Sequence, residues 1–229
     1  MSSLDVRAFT VGPVQENSYI VRADATASRA VIVDPGEEPE RLLAAAGSLG
    51  VEIEAILVTH CHFDHIGAVA PVARATGAAV YCPAIERAVL ADVMSWVPPG
   101  FGPFESYEAD HTVAGGERLQ MAGLEIDVVF TPGHSPGHVT YATSGALLSG
   151  DVLFQGSVGR VDVPGGDWET LERSIERLLE AYPAETVVYP GHMGVTTLGR
   201  ERDTNPFLGE LRVRVPRVAA APDAAAAGS

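Results

Sequence analysis

Strand-length apolar runs alternate with helix-like stretches along this chain. Compact runs rich in Val and Ile predict strands, and apolar positions three or four apart predict helices. The predicted strands are 6–11, 18–21, 30–33, 54–59, 78–82, 117–121, 124–130, 139–143, 146–149 and 186–189, and the predicted helices are 38–49, 68–76, 84–93 and 168–181. Hairpin-like pairs and helical connections both occur in this order, which predicts a mixed α/β fold.

Metal-binding side chains follow four of the predicted strands. Residues 59–65 read Thr-His-Cys-His-Phe-Asp-His at the end of one strand, and a His or Asp follows three later strands. The set comprises His60, His62, Asp64, His65, His134, Asp151 and His192. A single catalytic zinc takes three protein ligands and a water. The larger set matches two metals about 3.5–4 Å apart that share a bridging carboxylate.

The motifs around these residues resemble the metallo-β-lactamase superfamily of metallohydrolases. They stand in the family's order at 59–67, 131–138, 149–154 and 190–192, and the resemblance covers roughly residues 4–212. Further similarity at 156–162, 164–167 and 200–208 is closest to the short hydroxyacylglutathione hydrolase branch, the glyoxalase II type. Persulfide dioxygenases of the same superfamily share many of these sequence motifs.

The resemblance implies a fold and a role for each residue. The expected fold is an αββα four-layer sandwich, with two mixed sheets face to face and helices outside. His60, His62 and His134 would hold one metal, Asp64, His65 and His192 a second, and Asp151 would bridge them. Asp64 and Asp151 are the expected catalytic carboxylates, and His138 and Arg160 are expected to support the ligands from behind. Zinc is the expected metal, with iron or manganese as alternatives.

The implied activity is hydrolysis of a small-molecule thioester by a metal-bridging hydroxide. A mononuclear iron persulfide dioxygenase and a lactonase are the alternatives. The segment 94–107 is rich in aromatic residues, Pro and Gly, and its candidate substrate-lining residues are Trp96, Phe101, Phe104 and Tyr107. Larger glyoxalase II enzymes grip glutathione partly through a C-terminal helical domain. Only 37 residues follow His192 here, so a strict requirement for glutathione is not expected.

The composition of the chain argues against certain classes of binding partner. The formal net charge of −15 disfavours nucleic acid and anionic membranes, and all 15 basic residues are arginine. The apolar runs are shorter than the ~20 residues of a membrane span, and the N-terminus lacks the features of a secretory signal. We therefore expect a cytoplasmic protein with reduced Cys61 and Cys82. One domain is predicted over 1–212, followed by a disordered Ala- and Pro-rich tail at 213–229; the oligomeric state stays open.

Overall fold

The computed structural model describes residues 4–215 and 218, and within them the strands form two six-stranded sheets and one short hairpin. The first sheet contains, in spatial order, β1 (Asp5–Val11), β2 (Glu16–Arg22), β3 (Arg29–Val33), β4 (Glu52–Leu57), β5 (Ala79–Pro83) and β6 (His111–Val113). The second contains β7 (Arg118–Met121), β8 (Leu124–Phe130), β9 (Val139–Thr143), β10 (Ala146–Gly150), β13 (Val187–Pro190) and β14 (Thr196–Thr197). The hairpin is β11 (Leu153–Phe154) with β12 (Ser157–Val158).

Helices cover the outer faces of both sheets. The α-helices are α1 (Pro39–Leu49), α2 (Phe63–Ile66), α3 (Val69–Thr76), α4 (Arg87–Ala91), α5 (Trp168–Ala181), α6 (Leu198–Thr204) and α7 (Leu211–Arg214). Short 3₁₀ turns occupy Ala84–Glu86, Val93–Ser95 and Pro206–Leu208. Among the described residues, no helix combines the length and apolar character that a membrane span requires.

Three apolar clusters hold the layers together. One lies between the sheets and includes Val31, Leu57, Val128, Tyr141 and Leu148. A second packs α1 and α3 on the first sheet, and a third packs α5, α6 and α7 on the second. Burying such side chains stabilises a fold by roughly 1.5–3 kcal/mol each, before the entropy of ordering is subtracted. This arrangement confirms the αββα sandwich.

The strand directions bring several loops to one edge of the sandwich. Strands β3, β4 and β5 are mutually parallel in the first sheet, and β10 and β13 are parallel in the second. The carboxyl ends of parallel strands share an edge, so the loops that leave β3, β4, β10 and β13 converge. The two sheets also join there through backbone hydrogen bonds from Val139 N to Thr59 O at 2.9 Å and from Asn17 N to Gly191 O at 2.7 Å.

Most predicted elements are present with small shifts at their ends. The helix predicted at 168–181 is α5, whose Leu171, Ile175, Leu178 and Leu179 are all buried as their spacing predicted. The strands β6 and β14 and the β11–β12 hairpin were not predicted, since two or three residues carry too little periodicity.

The single helix predicted at 84–93 is present only in part. That segment is a 3₁₀ turn, the short helix α4 and a second 3₁₀ turn, and Asp92 between the last two leaves the helical region at φ −143°. The Val93 N–H is bonded instead to Ser106 Oγ at 3.1 Å, which draws the chain out of the helix.

Residues 213–215, which were predicted to begin a disordered tail, are the end of a helix and a buried position. Helix α7 extends to Arg214, and Val215 is fully buried against the second sheet's helices. The remainder of the predicted tail, apart from Val218, lies outside the described residues.

Candidate metal centre

The converging loops place all seven predicted ligands at one site. His60 and His62 follow β4, Asp64 and His65 lie on α2, His134 follows β8, Asp151 follows β10 and His192 follows β13. Close backbone approach requires glycine at two of these turns. A Cβ on Gly150 (φ +48°) would lie 2.4 Å from Thr59 Oγ1, and one on Gly133 (φ +135°) would lie 2.2 Å from Leu171 N.

Three imidazole nitrogens point at one another in the first cluster, formed by His60, His62 and His134. His62 Nδ1 lies 3.1 Å from His60 Nε2 and 2.8 Å from His134 Nε2. His134 Nδ1 donates to the Arg160 carbonyl at 2.7 Å, so its Nε2 carries the lone pair that faces the cluster. Nitrogen ligands of tetrahedral zinc lie about 3.3 Å apart. The three side chains therefore fit one metal ion after a slight opening.

The second cluster is formed by Asp64, His65 and His192. In it, the Nε2 atoms of the two imidazoles face the Asp64 carboxylate. His65 Nδ1 donates to Asp34 Oδ2 at 2.9 Å, and His192 Nδ1 donates to the Gln15 carbonyl at 3.2 Å. Their Nε2 atoms then face Asp64 Oδ2 at 3.9 and 3.3 Å, respectively. An imidazole nitrogen and a carboxylate oxygen at these distances repel each other unless a proton or a metal cation lies between them. A metal ion fits this cluster as well.

Asp151 lies between the two clusters. Its Oδ2 is 3.5 Å from His134 Nε2 in the first cluster and 3.5 Å from His192 Nε2 in the second. Its Oδ1 is 3.3 Å from His65 Nε2, and both of these atoms are buried without a hydrogen-bond partner. Buried polar atoms are almost always satisfied, so this orphaned pair indicates a ligand that binds there.

Electrostatics divides the histidines into two groups. Burial, followed by the neighbouring imidazoles, holds the pKa of His60 well below its usual range and lowers the pKa of His62 to about 4. Burial also opposes protonation of His65, but Asp151 and Asp64 outweigh it and raise the pKa of His65 well above its usual range. His60 and His62 are thus kept neutral for coordination, while the carboxylates around His65 attract positive charge.

The carboxylates of Asp64 and Asp151 remain ionised. Burial alone would raise the pKa of Asp151, but His65 and the other imidazoles lower it far below its usual value. For Asp64, His65 and His192 likewise outweigh burial and lower the pKa. Both side chains can therefore act as metal ligands at neutral pH.

His138 lies behind the ligands, where it was predicted to orient them. It is fully buried, and its Nε2 accepts the backbone N–H of Asp151 at 3.0 Å. The proton of the neutral ring is therefore on Nδ1, which lies 3.0 Å from Thr131 Oγ1. The Arg160 carbonyl accepts the hydrogen bond from His134, and the exposed Arg160 guanidinium pairs with Asp162 at 2.7 Å.

Sequence reasoning missed three buried acids around the ligands. Asp34 accepts from Thr59 N at 2.7 Å, from Thr59 Oγ1 at 2.6 Å and from His65 Nδ1. Asp34 directly follows strand β3, just as several ligands directly follow their strands. This position could have identified it from the sequence. Glu16 lies 3.8 Å from His65 Nδ1, and burial raises its pKa well above the usual range. Glu86 accepts hydrogen bonds from Cys61 N, in the loop after β4, and from Gly137 N, in the loop after β8.

The aromatic segment 94–107 reaches the ligand loop through two of its four predicted residues. The Phe63 ring, between His62 and Asp64, lies 4.6 Å from the Phe101 ring and 6.1 Å from the Phe104 ring. Tyr107 packs on the core and donates its N–H to Leu90 O at 3.0 Å, and Trp96 is 58% exposed. Phe101 and Phe104 are the better candidates for contact with a substrate.

His111, Cys61 and Cys82 lie outside the groups of described residues that could hold a metal ion. His111 is exposed on β6, where its ring lies 4.6 Å from the Tyr81 ring. Cys61 and Cys82 are buried free thiols whose sulfur atoms are 3.5 Å apart. Burial, followed by the contact with Cys82, raises the pKa of the Cys61 thiol, so it is protonated at neutral pH.

The fold and the His/Asp centre agree with the family that the sequence matches. The chain belongs to the metallo-beta-lactamase superfamily, whose family model matches residues 11–192. It is a metallo-hydrolase of this superfamily, with His and Asp residues close enough together to hold metal ions.

Three individual proteins illustrate the range of relatives. The Haemophilus influenzae protein named hydroxyacylglutathione hydrolase GloC is 31% identical over 210 residues, covering 90% of this chain and 98% of its own. The structure of the B3 metallo-beta-lactamase BLEG-1 has 38% identity and a TM-score of 0.84, covering 90% of this chain and 100% of its own. TTHA1623 in a di-iron-bound form has 42% identity and a TM-score of 0.71, covering 88% and 100%.

Proposed function

We propose that this protein is a dinuclear metal-dependent hydrolase of thioesters, of the hydroxyacylglutathione hydrolase type, with zinc as the expected metal. The observation that carries the proposal is the position of Asp151. Its carboxylate faces His134 on one side and His65 and His192 on the other, within 3.5 Å of each. A carboxylate in that position could coordinate two metal ions at once.

Two relatives support different parts of the proposal. TTHA1623, at 42% identity, was solved in a di-iron-bound form, which supports two metals and keeps iron as an alternative to zinc. GloC, at 31% identity over nearly its full length, carries the name hydroxyacylglutathione hydrolase, which supports a thioester substrate.

The bound metals would supply an ionised water at neutral pH and would polarise the carbonyl under attack. The side chains keep that centre in place. His134 and His192 are oriented by the Arg160 and Gln15 carbonyls, and His65 is oriented by Asp34. Each of these hydrogen bonds fixes the tautomer that leaves Nε2 free for coordination. Ionised Asp64, whose Oδ2 lies 3.3 Å from His192 Nε2, would hold the second metal together with His65 and His192.

Substrate selection would rest on the aromatic rings beside the ligand loop. Phe63, Phe101 and Phe104 form one group of rings, and Phe63 directly follows the ligand His62. Such rings favour apolar or flat acyl and thiol groups. We therefore propose that several small thioesters are hydrolysed, and that the carrier thiol matters less than the reacting carbonyl.

A substrate panel tests the proposed reaction. Metal-replete protein would be assayed with S-lactoylglutathione and other thioesters by thiol release, with lactones by acid release, with a β-lactam, and with glutathione persulfide by oxygen uptake. We expect thioesters to give the highest kcat/KM and the Asp151→Ala variant to be inactive. Persulfide-dependent oxygen uptake without thioester hydrolysis would contradict the proposal and would favour the dioxygenase.

A further inference from the structure

Glu86 is a buried acid that lies outside the ligand set. It ends the 3₁₀ turn Ala84–Glu86 that follows β5, and only 5% of the residue is exposed. Burying a carboxylate is costly unless hydrogen bonds or opposite charge compensate for it. Its partners therefore indicate what the side chain is for.

Those partners come from both loops of the first metal cluster. Glu86 Oε2 accepts from Cys61 N at 2.5 Å, and Cys61 lies between the ligands His60 and His62. Glu86 Oε1 accepts from Gly137 N at 2.8 Å and from the Ser135 hydroxyl, in the turn that carries the ligand His134. One carboxylate thus links two segments that are about 75 residues apart in sequence.

The fit around this carboxylate is tight. A Cβ on Gly137 would lie 2.7 Å from Glu86 Cγ, so the turn approaches Glu86 as closely as a glycine allows. Among the residues that the structure describes, Glu86 has N–H and O–H donors as partners and no arginine.

We propose that Glu86 is a positioning residue that sets the spacing of the two loops and thereby the affinity of the first cluster for its metal. This inference rests on the proposed dinuclear function. The chemistry requires a carboxylate, because the N–H groups of Cys61 and Gly137 can only donate. A glutamine of the same shape has one carbonyl oxygen, and its NH₂ group would face the other N–H.

Zinc affinity tests this inference without any assay of activity. Glu86→Gln would be placed in two backgrounds, His192→Ala, which keeps the first cluster, and His134→Ala, which keeps the second. Removing a group that orients metal ligands typically weakens binding 10–100-fold. We expect that loss in the His192→Ala background and a change of less than about threefold in the His134→Ala background, both measured by chelator competition.

A matched control separates positioning from general destabilisation. Glu201 is also fully buried and accepts from Gly156 N at 2.7 Å, from Thr196 Oγ1 at 2.5 Å and from Asn205 Nδ2 at 2.9 Å. Glu201→Gln should lower resistance to urea and leave the zinc affinity of the first cluster unchanged. If Glu86→Gln does not fold, Ser135→Ala removes one donor alone and should weaken the same site several-fold.

The outcomes distinguish this inference from the proposed function. Equal losses in both backgrounds, or an equal loss in the Glu201→Gln control, would overturn the role of Glu86. A single metal in the unmodified protein would contradict the dinuclear proposal, whereas the Glu86 inference would still be decided in the His192→Ala background.

Discussion

His138 offers a substitution pair that tests how the bridging carboxylate is held. Its Nε2 accepts the Asp151 N–H at 3.0 Å, and its Nδ1 lies 3.0 Å from Thr131 Oγ1. Glutamine places an oxygen at the same number of bonds from the backbone as Nε2, whereas asparagine reaches only as far as Nδ1. His138→Gln can therefore keep the contact with Asp151, and His138→Asn can keep only the contact with Thr131.

The expected magnitude follows from the lost contact. Leaving one buried N–H unsatisfied costs about 1–3 kcal/mol. At about 1.4 kcal/mol per tenfold, this corresponds to a 5- to 140-fold change in an equilibrium constant. We therefore expect His138→Asn to bind zinc roughly 10–100-fold more weakly than the unmodified protein, and His138→Gln to remain within about threefold.

Chelator-competition titration of the two variants at neutral pH checks this prediction, with urea unfolding of the metal-free proteins as a parallel measure of stability. Burial, with the neighbouring His134, holds the pKa of His138 well below its usual range, so the ring is neutral under these conditions. Equal zinc affinities for His138→Asn and His138→Gln would refute the claim that the hydrogen bond to Asp151 matters.

Three further predictions address the ligands, the aromatic rings and the effect of pH. Asp151→Ala should lose metal and nearly all activity, whereas His111→Ala should be close to neutral in both; a His111→Ala variant that keeps its metal but has no activity would contradict this. Phe101→Ala or Phe104→Ala should change the relative kcat/KM among thioesters more than the metal content, and unchanged ratios would exclude these rings from selection. In metal-free protein, NMR should show His62 neutral down to about pH 4; its contribution to stability is then present above its unfolded pKa of about 6.5 and is lost as the pH falls towards 4.

The sequence was sufficient to predict the fold class and the group of residues at the centre, for physical reasons. Long strands and α5 carry several periods of apolar residues, and the ligands follow strand ends that share one edge of the sandwich. His60, His134 and His192 come together for this reason, although they are far apart in the chain.

Residues that act through hydrogen bonds were harder to predict. Asp34 follows a strand end as the ligands do, whereas Glu86 has no distinctive spacing, and each accepts a hydrogen bond from a backbone N–H that only the folded chain brings near. The break in the predicted helix at 84–93 has the same origin, since it depends on a tertiary hydrogen bond from Val93 to Ser106. Local periodicity contains no information about such partners.

The number of metal ions per chain tests the central claim most directly. Protein reconstituted with excess zinc, freed of unbound metal and analysed by mass spectrometry for metal and protein together should contain close to two ions per chain. The Asp151→Ala variant, which lacks the carboxylate that faces both clusters, should contain markedly fewer. One tightly held ion per chain, unchanged by a second equivalent of metal, would contradict the account and would favour a mononuclear enzyme.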